Sequence, residues 1–150
     1  MEMETTSTIP GAVSLPGAFF AEAAAGRPSC VHHFFEEQAA RTPDAEALVH
    51  GTESLTYREL DARANRLAHA LRRRGAGPEV RVGICVRRSV DLVVGLLGIV
   101  KSGAAYVPLD PAYPRERIAV TLRDARAPLV VTQQALLPLL EGHGGATVLL

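Results

Sequence analysis

A histidine and a glutamate lie one helical turn apart in the sequence, and this spacing could bind a metal ion. His32 and Glu36 are four residues apart, so on a helix both side chains would lie on one face. His33 would point about a quarter-turn away and would add no ligand to that face. A protein zinc site needs three or four ligands, and no further ligand has matching spacing. Surface polarity is therefore the simpler interpretation, and we predict no metal site.

Two single residues and one loop could take part in phosphate chemistry. Asp110 follows a predicted strand, at the edge where open α/β sheets bind ligands, although a turn-forming aspartate is the simpler interpretation. Lys101 could meet a phosphate, but a lysine in the last turn of a helix already stabilises the helix dipole. The loop Gly142-His143-Gly144-Gly145 lies between a predicted helix and a strand. It therefore lacks the helix N-terminus that would bind phosphate.

The two cysteines, Cys30 and Cys85, predict neither a disulfide framework nor a reactive thiol. Cys85 lies in an apolar run, where a cysteine acts as a small buried hydrophobic residue. A catalytic thiol needs an electropositive, partly exposed setting. The sequence also contains neither G-x-x-x-x-G-K-[ST] nor G-x-G-x-x-G. We therefore predict no catalytic, cofactor-binding or metal-binding residue in this chain.

The composition indicates one globular domain with no electrostatic preference for nucleic acid. The chain has 150 residues, of which 47% are hydrophobic and 21% charged, typical of a domain with its own core. Lysine plus arginine equals aspartate plus glutamate at 16 each, which predicts no nucleic-acid or anionic-membrane partner. The acidic start and the absence of a long apolar run indicate neither signal peptide nor membrane span. We expect a cytoplasmic protein.

Strands and helices alternate from Val31 onward, which predicts an α/β fold with a mainly parallel sheet. Residues 1–28 show no such periodicity and are predicted to form a flexible leader. One helix begins at Val31 and stops at Thr42-Pro43, and another is capped by Thr56 and ends before Gly75. Further helices are predicted at 89–102, 115–125 and 134–140, and strands at 45–49, 80–86, 104–107, 128–132 and 146–150, with a turn at 50–53.

Two of these helices carry the clearest local signals. Thr56 and Glu59 have the spacing of a capping box, and Leu55 and Leu60 that of a hydrophobic staple around it. In the helix at 89–102, Ser89 is the predicted N-cap and apolar residues run almost all round, which indicates burial on most sides. Gly95 and Gly98 would let a neighbour approach closely. If other segments normally cover this helix, the chain alone should be poorly soluble or molten.

Four segments resemble, in order, the start of the amino-acid-adenylating domains of nonribosomal peptide synthetases. Residues 55–60 (LTYREL) are similar to the first core motif, L-[ST]-Y-x-E-L. Residues 100–110 (VKSGAAYVPLD) are similar to the second, which usually reads L-K-A-G-x-A-Y-V-P-I-D. Residues 31–44 and 113–118 are similar to the stretches that open these domains and follow the second motif. The resemblance implies that residues 29–150 form the N-terminal portion of an adenylate-forming domain.

The resemblance implies a two-step reaction for the complete enzyme. An amino-acid carboxylate attacks ATP, and the aminoacyl adenylate is captured by the phosphopantetheine thiol of a carrier domain. The phosphate loop, the magnesium ligand, the amino-acid pocket and a late lysine of this family fall outside residues 1–150. The resemblance therefore implies that the chain alone is inactive and binds no ATP or Mg²⁺. Its partners would be the remainder of the domain, a carrier domain and an amino-acid substrate.

Three other functions remain open at this point. A stand-alone α/β interaction module would use an exposed apolar patch for binding. A nonfunctional gene remnant would have no activity, and a fragment of an acyl-CoA ligase would come from the same superfamily. The last predicted strand runs into the final residue, Leu150, and this suggests a truncated domain.

Overall fold

The structure is a computed structural model that describes residues 30–150, and the predicted leader at 1–28 lies outside the described residues. In chain order its elements are α1 (Val31–Arg41), β1 (Glu46–His50), β2 (Glu53–Thr56), α2 (Tyr57–Arg72), β3 (Arg81–Cys85), α3 (Val90–Ser102), β4 (Ala105–Pro108), α4 (Arg115–Asp124), β5 (Leu129–Thr132), a 3₁₀ helix (Gln134–Leu140) and β6 (Ala146–Leu149). No helix among the described residues is long and apolar enough to cross a membrane.

Four parallel strands form the central sheet in the order β4-β3-β5-β6. Because side chains alternate across a strand, the sheet has two apolar faces. Ile84 and Val131 lie in the core beneath α2 and α3, whereas Cys85 and Val130 lie in the core beneath α4 and the 3₁₀ helix. The predicted α/β class with a mainly parallel sheet is therefore confirmed, and the structure adds the strand order.

The antiparallel hairpin of β1 and β2 lies outside this sheet, and its second strand was not predicted. The sequence indicated a turn at 50–53 but no strand after it. Strand β2 pairs with β1, with His50 opposite Glu53 and Val49 opposite Ser54. Of its residues only Leu55 is buried, so the strand lacks the alternating apolar pattern on which a sequence-based prediction depends.

The predicted start of α2 is confirmed. The Thr56 N–H donates to Glu59 Oε2 at 2.9 Å, and the Glu59 N–H donates to Thr56 Oγ1 at 3.3 Å. The Thr56 N–H, together with the Thr56 hydroxyl, which donates to Glu59 Oε2 at 3.0 Å, holds the pKa of the Glu59 carboxyl below its usual value. Leu55 and Leu60 are both buried in one apolar cluster with Val90 of α3, so the capping box also sets how α2 meets α3. A cap of this kind stabilises a helix by about 1 kcal/mol.

Helix α3 is the central helix of the fold, and none of its residues is exposed. A Cβ on Gly98 would lie 2.5 Å from Leu67 Cδ2, and a Cβ on Gly95 would lie 2.7 Å from Ile84 Cδ1. The predicted close approach at both glycines is confirmed. The premise that this chain leaves α3 uncovered is wrong for most of the helix, because α2 and the sheet pack against it.

The structure corrects one local prediction, the Ser89 cap, and adds detail at two other helices. Ser89 occupies the N-cap of α3, but its hydroxyl donates to the Arg87 carbonyl at 3.0 Å and accepts nothing from the helix. Val31, at which the first predicted helix does begin, is 68% exposed, and Ala39 is the one fully buried residue of α1. The predicted short helix at 134–140 is a 3₁₀ helix, Gln134–Leu140, with Pro138 inside it.

Candidate functional site

The C-terminal end of α3 carries a buried ammonium group. The Lys101 side chain is 3% exposed, and its Nζ forms an ion pair with Glu36 of α1. Asp61 Oδ1 of α2 lies 2.9 Å from Nζ, and Asn65 Oδ1 accepts a hydrogen bond of 2.9 Å. The ring centroid of Phe35 lies 5.9 Å away. We call Lys101, Glu36, Asp61 and Asn65 the charged junction, because they join α1, α2 and α3.

The predicted role of Lys101 at the helix C-terminus is taken by another residue. The Arg72 guanidinium donates to the carbonyl oxygens of Lys101 and Ser102, and so places positive charge where the helix dipole is negative. Lys101 instead turns its own charge inward. A buried ammonium group is tolerated only when its donors are satisfied. Lys101 Nζ donates hydrogen bonds to Glu36 and Asn65, and the Asp61 carboxylate adds a second negative charge.

The two residues whose spacing suggested a metal site, His32 and Glu36, have different surroundings. Glu36 lies at the surface, with its side chain 44% exposed, and its carboxylate is paired with the Lys101 ammonium. Burial lowers the pKa of His32, and the neighbouring His33 adds to this effect. His32 Nδ1 is buried and makes no hydrogen bond among the described residues. No group of three metal-binding side chains occurs within residues 30–150.

A groove opens at the other end of α3, along the carboxyl ends of β3 and β4. It encloses about 880 Å³. We call it the strand-end groove. Its apolar lining includes Ile84, Leu92, Leu96, Tyr106 and Pro108, and its polar rim is formed by Arg87, Arg88 and Asp110.

Asp110 lies at this strand edge, as predicted, and also forms the predicted turn. Its carboxylate accepts a hydrogen bond of 2.9 Å from the Ala112 N–H. Its carbonyl accepts one of 3.0 Å from the Tyr113 N–H. The carboxylate therefore stabilises its own loop, and it also contributes to the rim of the groove.

The loop that carries Arg87 and Arg88 is fixed by a residue that sequence reasoning did not single out. Gln133 follows β5, accepts from the Arg87 N–H at 3.2 Å, and donates to Asp91 Oδ2 at 2.7 Å. It thereby joins the carboxyl ends of two neighbouring strands to the start of α3. Its position directly after a strand could have singled out Gln133 in the sequence, because the carboxyl ends of parallel strands meet at one edge of the sheet. Neither arginine side chain makes a hydrogen bond or ion pair within residues 30–150.

The remaining candidate residues, Cys85 and those of the glycine-rich loop, belong neither to the charged junction nor to the polar rim of the strand-end groove. Cys85 is buried, and burial together with the nearby Asp110 charge raises the pKa of its thiol. The glycine-rich segment 142–145 is a loop, as predicted, and borders a separate cavity of about 510 Å³ with Arg123 and Arg126. His143 Nε2 is buried there without a described hydrogen-bond partner, and burial lowers the pKa of His143.

The arrangement keeps the predicted candidates apart. Lys101 and Asp110 lie at opposite ends of α3, which at 13 residues is about 20 Å long, and Cys85 lies beneath α4. Lys101 therefore cannot act on one substrate together with Asp110, and the Cys85 thiol near Asp110 is buried. What the described residues offer is an enclosed charge at one end of a helix and an open apolar groove with two unpaired guanidinium groups at the other.

The sequence and fold match known proteins. The family model for AMP-binding enzymes matches residues 35–148. One of the linear gramicidin synthase chains of Brevibacillus parabrevis is 54% identical over 120 residues, which are 80% of this chain and 2% of that protein. Tyrocidine synthase 3 of the same organism is 54% identical over 110 residues, 73% of this chain and 2% of that protein.

Solved structures agree with the sequence relatives. The nonribosomal peptide synthetase FmoA3, bound to α-methyl-L-serine-AMP, superposes with a TM-score of 0.77 at 38% identity, covering 81% of this chain and 14% of that one. The N-terminal subdomain of Klebsiella oxytoca NpsA superposes with a TM-score of 0.71 at 28% identity, covering 79% and 30%. The chain therefore spans only a small part of the length of the proteins it matches.

Proposed function

The chain belongs to the AMP-binding enzyme family and corresponds to the N-terminal part of a nonribosomal peptide synthetase adenylation domain, and from this premise we propose that the complete domain activates an amino acid. The observation that carries the proposal is the 54% identity over 120 residues with a linear gramicidin synthase. The aminoacyl adenylate bound to FmoA3 supports the same reaction class. Residues 29–150 would then be the first portion of the adenylation domain.

In the proposed reaction a carboxylate oxygen of the amino acid attacks the α-phosphorus of ATP, and pyrophosphate leaves. The thiol of a carrier-domain phosphopantetheine arm then attacks the carbonyl carbon of the aminoacyl adenylate. A thioester forms and AMP leaves. Such chemistry depends on holding the reactants in line and neutralising phosphate charge.

Asp110 and Lys101, the two single residues considered for phosphate chemistry, both have structural partners of their own. Asp110 is the carboxylate on the strand-end groove, and it already accepts a hydrogen bond from its own turn. Lys101, the chain's one lysine, is enclosed by carboxylates and cannot reach a phosphate. We therefore assign ATP and Mg²⁺ to the remainder of the domain. Residues 30–150 supply the sheet, the helices around it and the surfaces to which that remainder attaches.

A hybrid domain tests the proposal. Residues 31–150 would replace the aligned segment of the adenylation domain in the linear gramicidin synthase chain that is 54% identical. Amino-acid-dependent exchange of pyrophosphate into ATP would then be measured. We expect exchange within about tenfold of the parent domain, since scaffold positions that keep the same packing cost little. A hybrid that melts cooperatively but shows no exchange would contradict the proposal.

An aromatic acid is the second candidate substrate class. NpsA of Klebsiella oxytoca is bound to 3-hydroxyanthranilyl-AMSN in one structure, at 27% identity and a TM-score of 0.73. The higher identity with the gramicidin and tyrocidine synthases favours an amino acid.

A further inference from the structure

The strand-end groove is an apolar surface that the described chain builds but does not cover. Leu92 and Leu96 of α3 are only partly buried against the core. Tyr106 of β4 is 48% exposed. These side chains surround the about 880 Å³ opening. An apolar opening of this kind marks a site where another surface packs.

The two faces of β4 differ in how they are covered. Val107 and Leu109 belong to the core that α4 covers. Tyr106 and Pro108 lie on the other face, opposite Val82 and Ile84 of β3, and both are exposed. Strand β4 is also an edge of the described sheet, so the exposed face adjoins an edge without a neighbouring strand. One face of β4 is therefore covered by α4, and the other face is exposed in the described chain.

Charge at the rim indicates what the missing surface carries. Arg87 and Arg88 have no side-chain partner within residues 30–150. Their loop is nevertheless held in place through Gln133, which bonds the Arg87 N–H and the Asp91 carboxylate. A preformed loop with two unpaired guanidinium groups is complementary to a carboxylate, which arginine binds in a bidentate manner.

We propose that the strand-end groove is the docking surface for the later part of the same adenylation domain, which presents an apolar surface with a carboxylate facing Arg87 and Arg88. This proposal rests on the proposed function. The chain spans 30% of the NpsA N-terminal subdomain and 14% of FmoA3, so relatives contain a large body of further chain available to pack here. A second copy of this chain is the alternative occupant, and the concentration dependence of protection in the chain alone distinguishes it.

Cysteine protection tests the proposal without requiring a disruptive substitution. Tyr106→Cys places a thiol in the groove, and Val120→Cys is the matched control on α4, where the native residue is 47% exposed. Both variants carry Cys30→Ser to remove the exposed native thiol. Each is made in the 150-residue chain and in the hybrid domain, and maleimide modification is located by peptide mapping.

We expect Tyr106→Cys to react as fast as Val120→Cys in the chain alone and at least about tenfold more slowly in the hybrid, because burial removes thiol access. An active hybrid in which both cysteines react alike overturns the docking proposal and leaves the proposed function standing. An inactive, folded hybrid in which Tyr106→Cys is protected contradicts the proposed function but supports the docking surface. Protection that rises with concentration in the chain alone identifies a second copy as the occupant and overturns the proposal.

A charge substitution gives an independent readout. Leu96→Glu in the hybrid places a carboxylate on the groove floor, and we expect pyrophosphate exchange to fall by at least about tenfold, because an unpaired buried charge disfavours docking. Val120→Glu is the matched control and should leave exchange unchanged. Equal exchange in the two variants would contradict burial of the groove.

Discussion

The two ends of helix α3 place charge and apolar surface in opposite ways. At its C-terminus, Lys101 is 3% exposed and its ammonium meets oxygens of Glu36, Asp61 and Asn65. At its N-terminus, the strand-end groove leaves Leu92 and Leu96 partly uncovered beside two arginines that have no side-chain partner within residues 30–150.

This difference separates what the chain completes by itself from what it leaves to another surface. A buried charge whose partners all lie in one chain ties the elements of that chain together, because removal of one partner leaves an uncompensated charge. Apolar area and unpaired charge at an open edge contribute little until something covers them. The charged junction therefore belongs to folding, and the groove to assembly.

The largest expected loss in the free energy of unfolding is at the charged junction. Lys101→Met keeps the apolar stem but removes the ammonium, leaving Glu36 and Asp61 without their counter-charge. Removing one partner of a buried pair costs about 3–5 kcal/mol, and we expect about 3 kcal/mol because both carboxylates retain some contact with water. Urea unfolding of the 150-residue chain measures this loss.

The matched control for this variant is the exposed ion pair between Arg63 and Glu53, whose atoms lie 3.5 Å apart. Arg63→Met should lower the free energy of unfolding by less than about 1 kcal/mol. If the two variants lose similar stability, the contrast between an enclosed and an exposed charge is wrong.

A smaller effect should follow from pH at the same end of α3. Burial lowers the pKa of His32 from 6.5, so the unfolded chain binds a proton that the folded chain resists. Stability is then fully present above the unfolded pKa and is lost as pH falls from 6.5 toward the lower folded value. The urea midpoint should fall over this range, and His32→Gln should reduce the slope. An unchanged slope in His32→Gln would show that another group causes it.

The smallest change in the free energy of unfolding should come from a substitution in the strand-end groove. Tyr106→Glu in the chain alone should change the free energy of unfolding by no more than about 0.5 kcal/mol, because the native side chain is 48% exposed. The measurement is urea unfolding beside Val120→Glu. A loss above about 2 kcal/mol, the size expected for a core side chain, would mean that Tyr106 belongs to the core of this chain, and the contrast between the two ends would fail.

These elements also show which features a single sequence can predict. The start of α2 was predictable because its capping box and staple lie within residues 55–60. The environment of Lys101 was not, because its partners lie 65 residues away in Glu36 and 36 residues away in Asn65. Strand β2 was missed for a similar reason, since its pairing with β1 defines it more than its own pattern.

At the strand-end groove, too, the local feature could be predicted from the sequence and the long-range feature could not. The carboxyl-end position of Asp110 could be predicted from strand and helix alternation, whereas the opening beside it depends on the strand order β4-β3-β5-β6. The expectation that the chain alone would be molten assumed an uncovered α3. Since α2 and the sheet cover most of that helix, we now expect cooperative unfolding.

The central claim is that this chain is scaffold, and the amino-acid preference of the hybrid domain tests it most directly. The kcat/KM for pyrophosphate exchange would be measured with each proteinogenic amino acid for the hybrid and for its parent gramicidin synthase domain. We predict the same preferred amino acid in both, because the strand-end groove is proposed to hold the rest of the domain and not the substrate. A hybrid that is active but prefers a different amino acid would contradict the account, since residues 31–150 would then help to select the substrate.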